Sequence, residues 1–305
     1  TGSALTFNGS VNAVTPAPGG GLMPPAAATL IADGGVALNG AVGDAAALRS
    51  VTVDGDATIA GGLVRTRDGQ NYNGDVIVDG DAVLESTDGG AIAFAGGVDG
   101  QAADADTLEI RTAGETRLGP VGQGTALGGL TTDAGGTTRL SGDVTAGAIT
   151  INDQVILDAS VTVTSAGAVR IEGGGLGNGF DLTLAAGSAR IAGSWSGLGV
   201  LHATGDGTVR VRDAVSGQEL RFDGNLLLTG DAQLTGQQLV EVLGQISGTH
   251  GLVLSSDGTI RLMDQVGTVF SALWSLEVNG ELEFDGNAIR TLEKQIYNGG
   301  VVLVS

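Results

Sequence analysis

Val51-Thr52-Val53-Asp54-Gly55-Asp56-Ala57 is answered by Val76-Ile77-Val78-Asp79-Gly80-Asp81-Ala82, and again, at the same shift of 25 in numbering, by Gln101-Ala102-Ala103-Asp104-Ala105-Asp106-Thr107. The first copy alternates apolar and polar side chains, the second is a short apolar run, and both then meet a small acidic turn. That is the pattern of a short strand with one face buried, closed by turn-forming residues. A strand–turn module repeated along a chain is the mark of a solenoid, in which no single coil buries its own apolar face and stacked coils share one core.

A longer echo accompanies it. Gln70-Asn71-Tyr72-Asn73-Gly74-Asp75-Val76-Ile77-Val78 returns as Gln295-Ile296-Tyr297-Asn298-Gly299-Gly300-Val301-Val302-Leu303. Related stretches are Ile151-Asn152-Asp153-Gln154-Val155-Ile156-Leu157 and Phe222-Asp223-Gly224-Asn225-Leu226-Leu227-Leu228. The landmarks Tyr72, Ile151, Phe222 and Tyr297 stand 79, 71 and 75 apart in numbering. These spacings predict a 75-residue unit made of three coils of 25. The expected fold is all-β: a right-handed parallel β-helix, a single continuous segment over 1–305 with about twelve coils, right-handed because parallel crossovers almost always are. Val51, Val53, Val76, Val78, Val155, Leu157, Leu226, Leu228, Val301 and Leu303 should point inward, as should Leu282 and Phe284 between outward Glu281, Glu283 and Asp285. The stretch Leu239, Val242, Leu243, Ile246 has helical spacing, but its repeat-mates alternate, so it too is read as strand.

Composition agrees. Of 305 residues 55 are glycine and few are aromatic, while 42% are hydrophobic. Aliphatic residues supply a narrow core and glycine supplies its corners. A net charge of −20, from 14 basic and 34 acidic residues, disfavours nucleic acid and anionic membrane as partners. There is no cysteine, so neither disulfides nor thiolate metal sites contribute. No apolar run reaches the length of a transmembrane segment, and the opening Thr1-Gly2-Ser3-Ala4-Leu5-Thr6-Phe7 is not a signal peptide.

Leu127-Gly128-Gly129-Leu130-Thr131, Gly69-Gln70-Asn71-Tyr72-Asn73-Gly74 and Ile92-Ala93-Phe94-Ala95-Gly96-Gly97-Val98-Asp99-Gly100 resemble the β-strand repeats of filamentous-haemagglutinin-type exoproteins, over nearly the whole chain. The resemblance implies a β-helix, export to the bacterial cell surface or medium, and work as structural or adhesive filament material, including biofilm matrix. The pattern weakens at Ile149-Thr150-Ile151-Asn152-Asp153 and around Trp195–Leu201. Two alternatives are a carbohydrate-binding or polysaccharide-cleaving β-helix, and a passive stalk that displays another domain.

Candidate sites are few. Asp54, Asp79 and Asp104, with Asp56, Asp81 and Asp106, recur at the same shift of 25. They are therefore expected in two columns at one corner, where Ca²⁺ would relieve their repulsion. Against this stands ordinary turn chemistry in solvent. Gly174-Gly175-Leu176-Gly177-Asn178-Gly179-Phe180-Asp181 is like a calcium-binding nonapeptide but has Gly179 where Asp is needed, and the Gly173–Gly179 run lacks the Lys-Ser/Thr of a phosphate loop. Glu281 and Glu283 offer paired carboxylates, yet acids on an outward strand are ordinarily its solvated face. His202 and His250 have no Ser or Asp partner at a recurring spacing. Trp195 and Trp274 suit a sugar ring or, more simply, a corner plug. The arginines look scattered. No catalytic or cofactor site is therefore expected. The chain starts and stops in mid-unit without capping residues, which predicts flanking repeats or end-to-end self-association, with surface or carbohydrate ligands as further partners.

Overall fold

The computed structural model describes residues 5–13 and 28–304. Residues 1–4 and Ser305, part of the expected mid-unit ends, lie outside them. Every described strand pairs in parallel, and among the described residues there is no helix. The chain is a parallel β-solenoid of about 14 turns. It divides into two compact units, Thr1–Asp153 and Gln154–Ser305.

In the first unit three stacks of strands alternate along the chain. One holds Thr29–Ala32, Ser50–Val53, Gln70–Tyr72, Ile92–Phe94, Glu115–Leu118 and Thr137–Leu140. The next holds Leu5–Phe7, Val36–Leu38, Ala57–Ile59, Val76–Val78 and Val98–Gly100. The third holds Leu63–Thr66, Ala82–Ser86, Thr107–Thr112, Leu127–Thr132 and the end of Val144–Ile151. The chain thus visits each stack once per turn. Alternation does the sorting: in Ser50–Val53, Val51 and Val53 are buried while Thr52 is half-buried.

The second unit repeats the plan with longer strands that run on through corners, up to Asn225–Val242. Its stacks are read from three in-register columns. The first is Val155, Gly175, Trp195, Val215, Leu234, Leu254, Val278, Tyr297. The second is Val161, Leu182, Leu201, Leu220, Val240, Ile260, Leu282, Val301. The third is Val169, Ala189, Val209, Leu226, Ile246, Val266, Ile289. Most of these side chains are aliphatic and fully buried, so the columns extend one dry core within the unit.

These registers correct the expected period. Ala57 pairs with Val76 and Val155 with Gly175, steps of 19 and 20 in numbering. The step from Val209 to Leu226 is shorter, and that from Ala82 to Leu108 is longer because the Gln101–Asp106 loop enlarges its turn. A turn is therefore about 20 residues and not the 25 expected. The shift of 25 joins different stacks: Val51–Val53 pairs with Gln70–Tyr72, whereas Val76–Val78 pairs with Ala57–Ile59. A shift of 25 is one turn plus one strand and corner, and every stack has the same local code of alternating strand and acidic turn. The 75-residue unit dissolves for the same reason, since Phe222 and Tyr297 fall in different columns.

Of the ten residues expected inward, Val51, Val53, Val76, Val78, Val155, Leu157, Leu226 and Leu228 are buried. Val301 and Leu303 are 45% and 75% exposed; they pair with Leu282 and Phe284 on one side only among the described residues. Leu239, Val242 and Ile246 lie in strand as their repeat-mates required, while Leu243 falls in the corner between Val242 and Ile246 and is exposed.

Candidate functional site

The acidic turns are the first place to look, and the register separates them. Asp54 and Asp56 occupy the corner between the first and second stacks, whereas Asp79, Asp81, Asp104 and Asp106 occupy the corner between the second and third. The two carboxylate columns expected at one corner do not form, because the shift of 25 is not a turn. Four of the six meet the adjacent turn through hydrogen bonds instead. Asn73 Nδ2 donates to Asp54 at 2.7 Å and the Asp75 backbone N–H to Asp56 at 3.0 Å. Thr107 Oγ1 donates to Asp81 at 2.6 Å. Asp106 is buried and accepts from the N–H groups of Gly80 and Ala102, at 2.7 and 2.6 Å. Asp79 is exposed, and Asp104 holds a left-handed turn with φ of 56°. Asp56 and Asp106 thus satisfy backbone donors where strands stop, and Asp54 and Asp81 take side-chain donors. Among the described residues no three His, Cys, Asp or Glu side chains gather as a metal-holding cluster.

The glycine run has a packing role. Trp195 is buried, and its ring lies over Gly175 so closely that a Cβ there would sit 2.5 Å from Cζ3. Gly175 makes room for the largest side chain of the core, and Trp195 fills the column as the plug expected of it. In the same run, Asn178 Nδ2 donates to the Leu157 carbonyl at 3.0 Å. Trp274 differs: it is 52% exposed, beside a loop whose Phe270 is 99% exposed.

Both histidines do have acidic neighbours. His202 Nε2 lies 3.0 Å from Asp223 Oδ1, on the next turn. His250 Nδ1 is 4.0 Å from Asp231 Oδ1, which also accepts the Gly251 N–H at 2.8 Å. Fixed sequence spacing missed these pairs because the turns vary in length. Glu281 and Glu283 point outward as expected, and Glu283 accepts from Arg261 Nε at 2.7 Å.

One buried acid stands apart. Asp153 accepts hydrogen bonds from Thr132 Oγ1 at 2.9 Å and Thr138 Oγ1 at 2.8 Å. Burial raises its pKa above the ordinary carboxylate value, against the lowering effect of these two hydroxyls. Asp133 is shifted upward as well, again chiefly by burial, and its Oδ1 is buried without a hydrogen-bond partner among the described residues. Desolvation thus favours the protonated form of both acids.

The arginines are not scattered once the turn is about 20 residues. On one outward surface Arg221, Glu241, Arg261 and Glu283 stand on four successive turns with alternating charge. Their contacts are 3.3, 3.8 and 2.7 Å. A second column is uniform: Arg170, Arg190 and Arg210 pair in register on three successive turns. It belongs to a thrice-repeated segment, Gly167-Ala168-Val169-Arg170-Ile171, Gly187-Ser188-Ala189-Arg190-Ile191 and Gly207-Thr208-Val209-Arg210-Val211. The regular return of this Gly-x-x-Arg pattern was the signal in the sequence that could have revealed the column. Arg170, Arg190 and Arg210 line a shallow groove of about 360 Å³ with Ala168, Val169, Ser188 and Ala189.

No protein family, no curated protein and no solved structure matches the chain.

Proposed function

We propose that this chain is structural and adhesive material of a secreted or surface-exposed bacterial filament, a right-handed β-helix that does no catalysis. The observation that carries this reading is where the outward polar side chains go. They tie one turn to the next: Asn39 to Asn8, Asn73 to Asp54, Gln218 to Gln237, Asn298 to Asn279, and the alternating Arg–Glu column. A surface so committed to stacking suits a scaffold, and the likeness to filamentous-haemagglutinin-type repeats supports the same role at the cell exterior. No helix of the described residues is long and apolar enough to cross a membrane. Displaying the chain on a non-adherent bacterium tests the reading. The scaffold role predicts cell–cell aggregation or surface attachment and thin filaments by electron microscopy. Unchanged adherence together with turnover of a polysaccharide would contradict it.

A carbohydrate-binding β-helix is a second reading, and the uniform arginine column is the observation that favours it.

A further inference from the structure

We propose that Arg170, Arg190 and Arg210 form a binding site for a linear, carboxylate-bearing polysaccharide lying along the groove beside them. This goes beyond the scaffold role and does not depend on it.

Among the described residues, like charges face one another in register in two places: Arg117 and Arg139 share Glu115 between them, whereas the longer column, Arg170–Arg190–Arg210, marks the site. Like charges directly opposite one another on adjacent strands destabilise a sheet. The Arg221–Glu241–Arg261–Glu283 column follows that rule by alternating. The Arg170–Arg190–Arg210 column breaks it, within the same unit, in a chain where 14 basic residues face 34 acidic ones and net charge is −20. Among the described residues only Arg190 of these three has an acidic partner, Glu172 Oε1 at 2.8 Å. Arg170 and Arg210 make no ion pair there, so three positive charges against one negative leave a local positive excess. Acids farther off are screened beyond about 8 Å at physiological salt, so the overall negative charge does not cancel this patch.

The geometry then chooses the ligand. Turns stack about 4.8 Å apart, so the guanidinium groups present positive charge at a spacing close to one monosaccharide. A polymer carrying one acid per sugar would meet one arginine per residue. The guanidinium fork matches a planar carboxylate through two parallel hydrogen bonds. Two positions before each arginine stand the short side chains Ala168, Ser188 and Thr208, also in register. They leave room for a sugar ring, and two of them offer hydroxyls for sugar hydroxyls. The groove lining contains no aromatic residue on which nucleic-acid bases would stack.

The test is a titration of the full chain with oligogalacturonate, dextran sulfate, inorganic polyphosphate and neutral dextran, followed by calorimetry. The expected result is salt-sensitive binding of oligogalacturonate that Arg170→Ala, Arg190→Ala and Arg210→Ala each weaken by about tenfold. Arg190→Lys should retain part of the affinity, since charge remains while the fork is lost. Glu172→Gln should strengthen binding, because it removes the competing carboxylate. Arg49→Ala, at an exposed arginine of the other unit paired with Asp68, should change nothing. Melting of the arginine variants should be unchanged or raised, as relief of like charge requires. The proposal is overturned if oligogalacturonate fails to bind at millimolar concentration in low salt, or if the three arginine variants bind it as the parent does. It is equally overturned if neutral dextran, dextran sulfate or polyphosphate binds as tightly, for the site would then read no carboxylate pattern.

Discussion

Asp153 shows what a single buried residue contributes. Its carboxylate lies between two threonine hydroxyls, and desolvation raises its pKa from the ordinary 3.8. A folded-state pKa above the unfolded one means that the native protein binds more protons between the two values. Its contribution is therefore favourable at low pH and is lost as pH rises through that window. Comparing thermal melts of the parent and Asp153→Asn from below pH 3.8 to neutrality isolates this effect from the general repulsion of the other acids. The parent should lose more stability than the variant as pH rises. A larger loss in Asp153→Asn would show that the hydroxyls, not burial, dominate. The residue drew notice in the sequence only as part of a stretch where the repeat weakens. Its burial follows from a corner that brings Thr132 and Thr138 round it, and no local pattern encodes that.

At the scale of the element, the strand with its turn was fully legible and the turn length was not. Alternation in Val51-Thr52-Val53 identifies strand, inward side and the acidic corner, and all three are present. Yet Val76-Ile77-Val78 belongs to a different stack although it reads almost identically. Each stack meets the same physics, one dry face and one wet, so each selects the same residues and none carries a label. The Asp columns were lost with that ambiguity, and the arginine column stayed hidden because too long a frame scatters what the true one aligns. Excision tests the frame. Removing 233–252 deletes one turn, since Gln233 pairs with Val253, and it should leave a cooperatively folding protein with a slightly lower melting temperature. Removing 233–257 instead follows the longer frame and joins strands out of register, which turns apolar side chains outward. Circular dichroism with thermal melting should show loss of cooperativity in the second protein alone. Equal folding of both would mean that register is not specified.

For the whole molecule, the balance is between apolar stacking in each unit and a net charge of −20. Asp54, Asp56, Asp81 and Asp106 are engaged with backbone N–H groups, amides and hydroxyls of adjacent turns, so divalent cations should act on the corners only as general screening. Calcium and magnesium at equal ionic strength should raise the melting temperature alike, and a specific rise with calcium, removed by Asp79→Asn with Asp81→Asn, would show a metal role for these turns. Every site above depends on successive turns stacking in parallel register at about 20 residues per turn. Because the chain has no cysteine, paired cysteines measure this directly. Thr183 lies beside His202 on the next turn, whereas Thr208, at the longer shift of 25, pairs with Ser188 in another stack. With Thr183→Cys and His202→Cys, a short thiol cross-linker should close an intramolecular bridge quickly, since adjacent strands lie about 4.8 Å apart. With Thr183→Cys and Thr208→Cys it should not. Mass spectrometry that found the second bridge formed and the first absent would contradict the register on which every other conclusion rests.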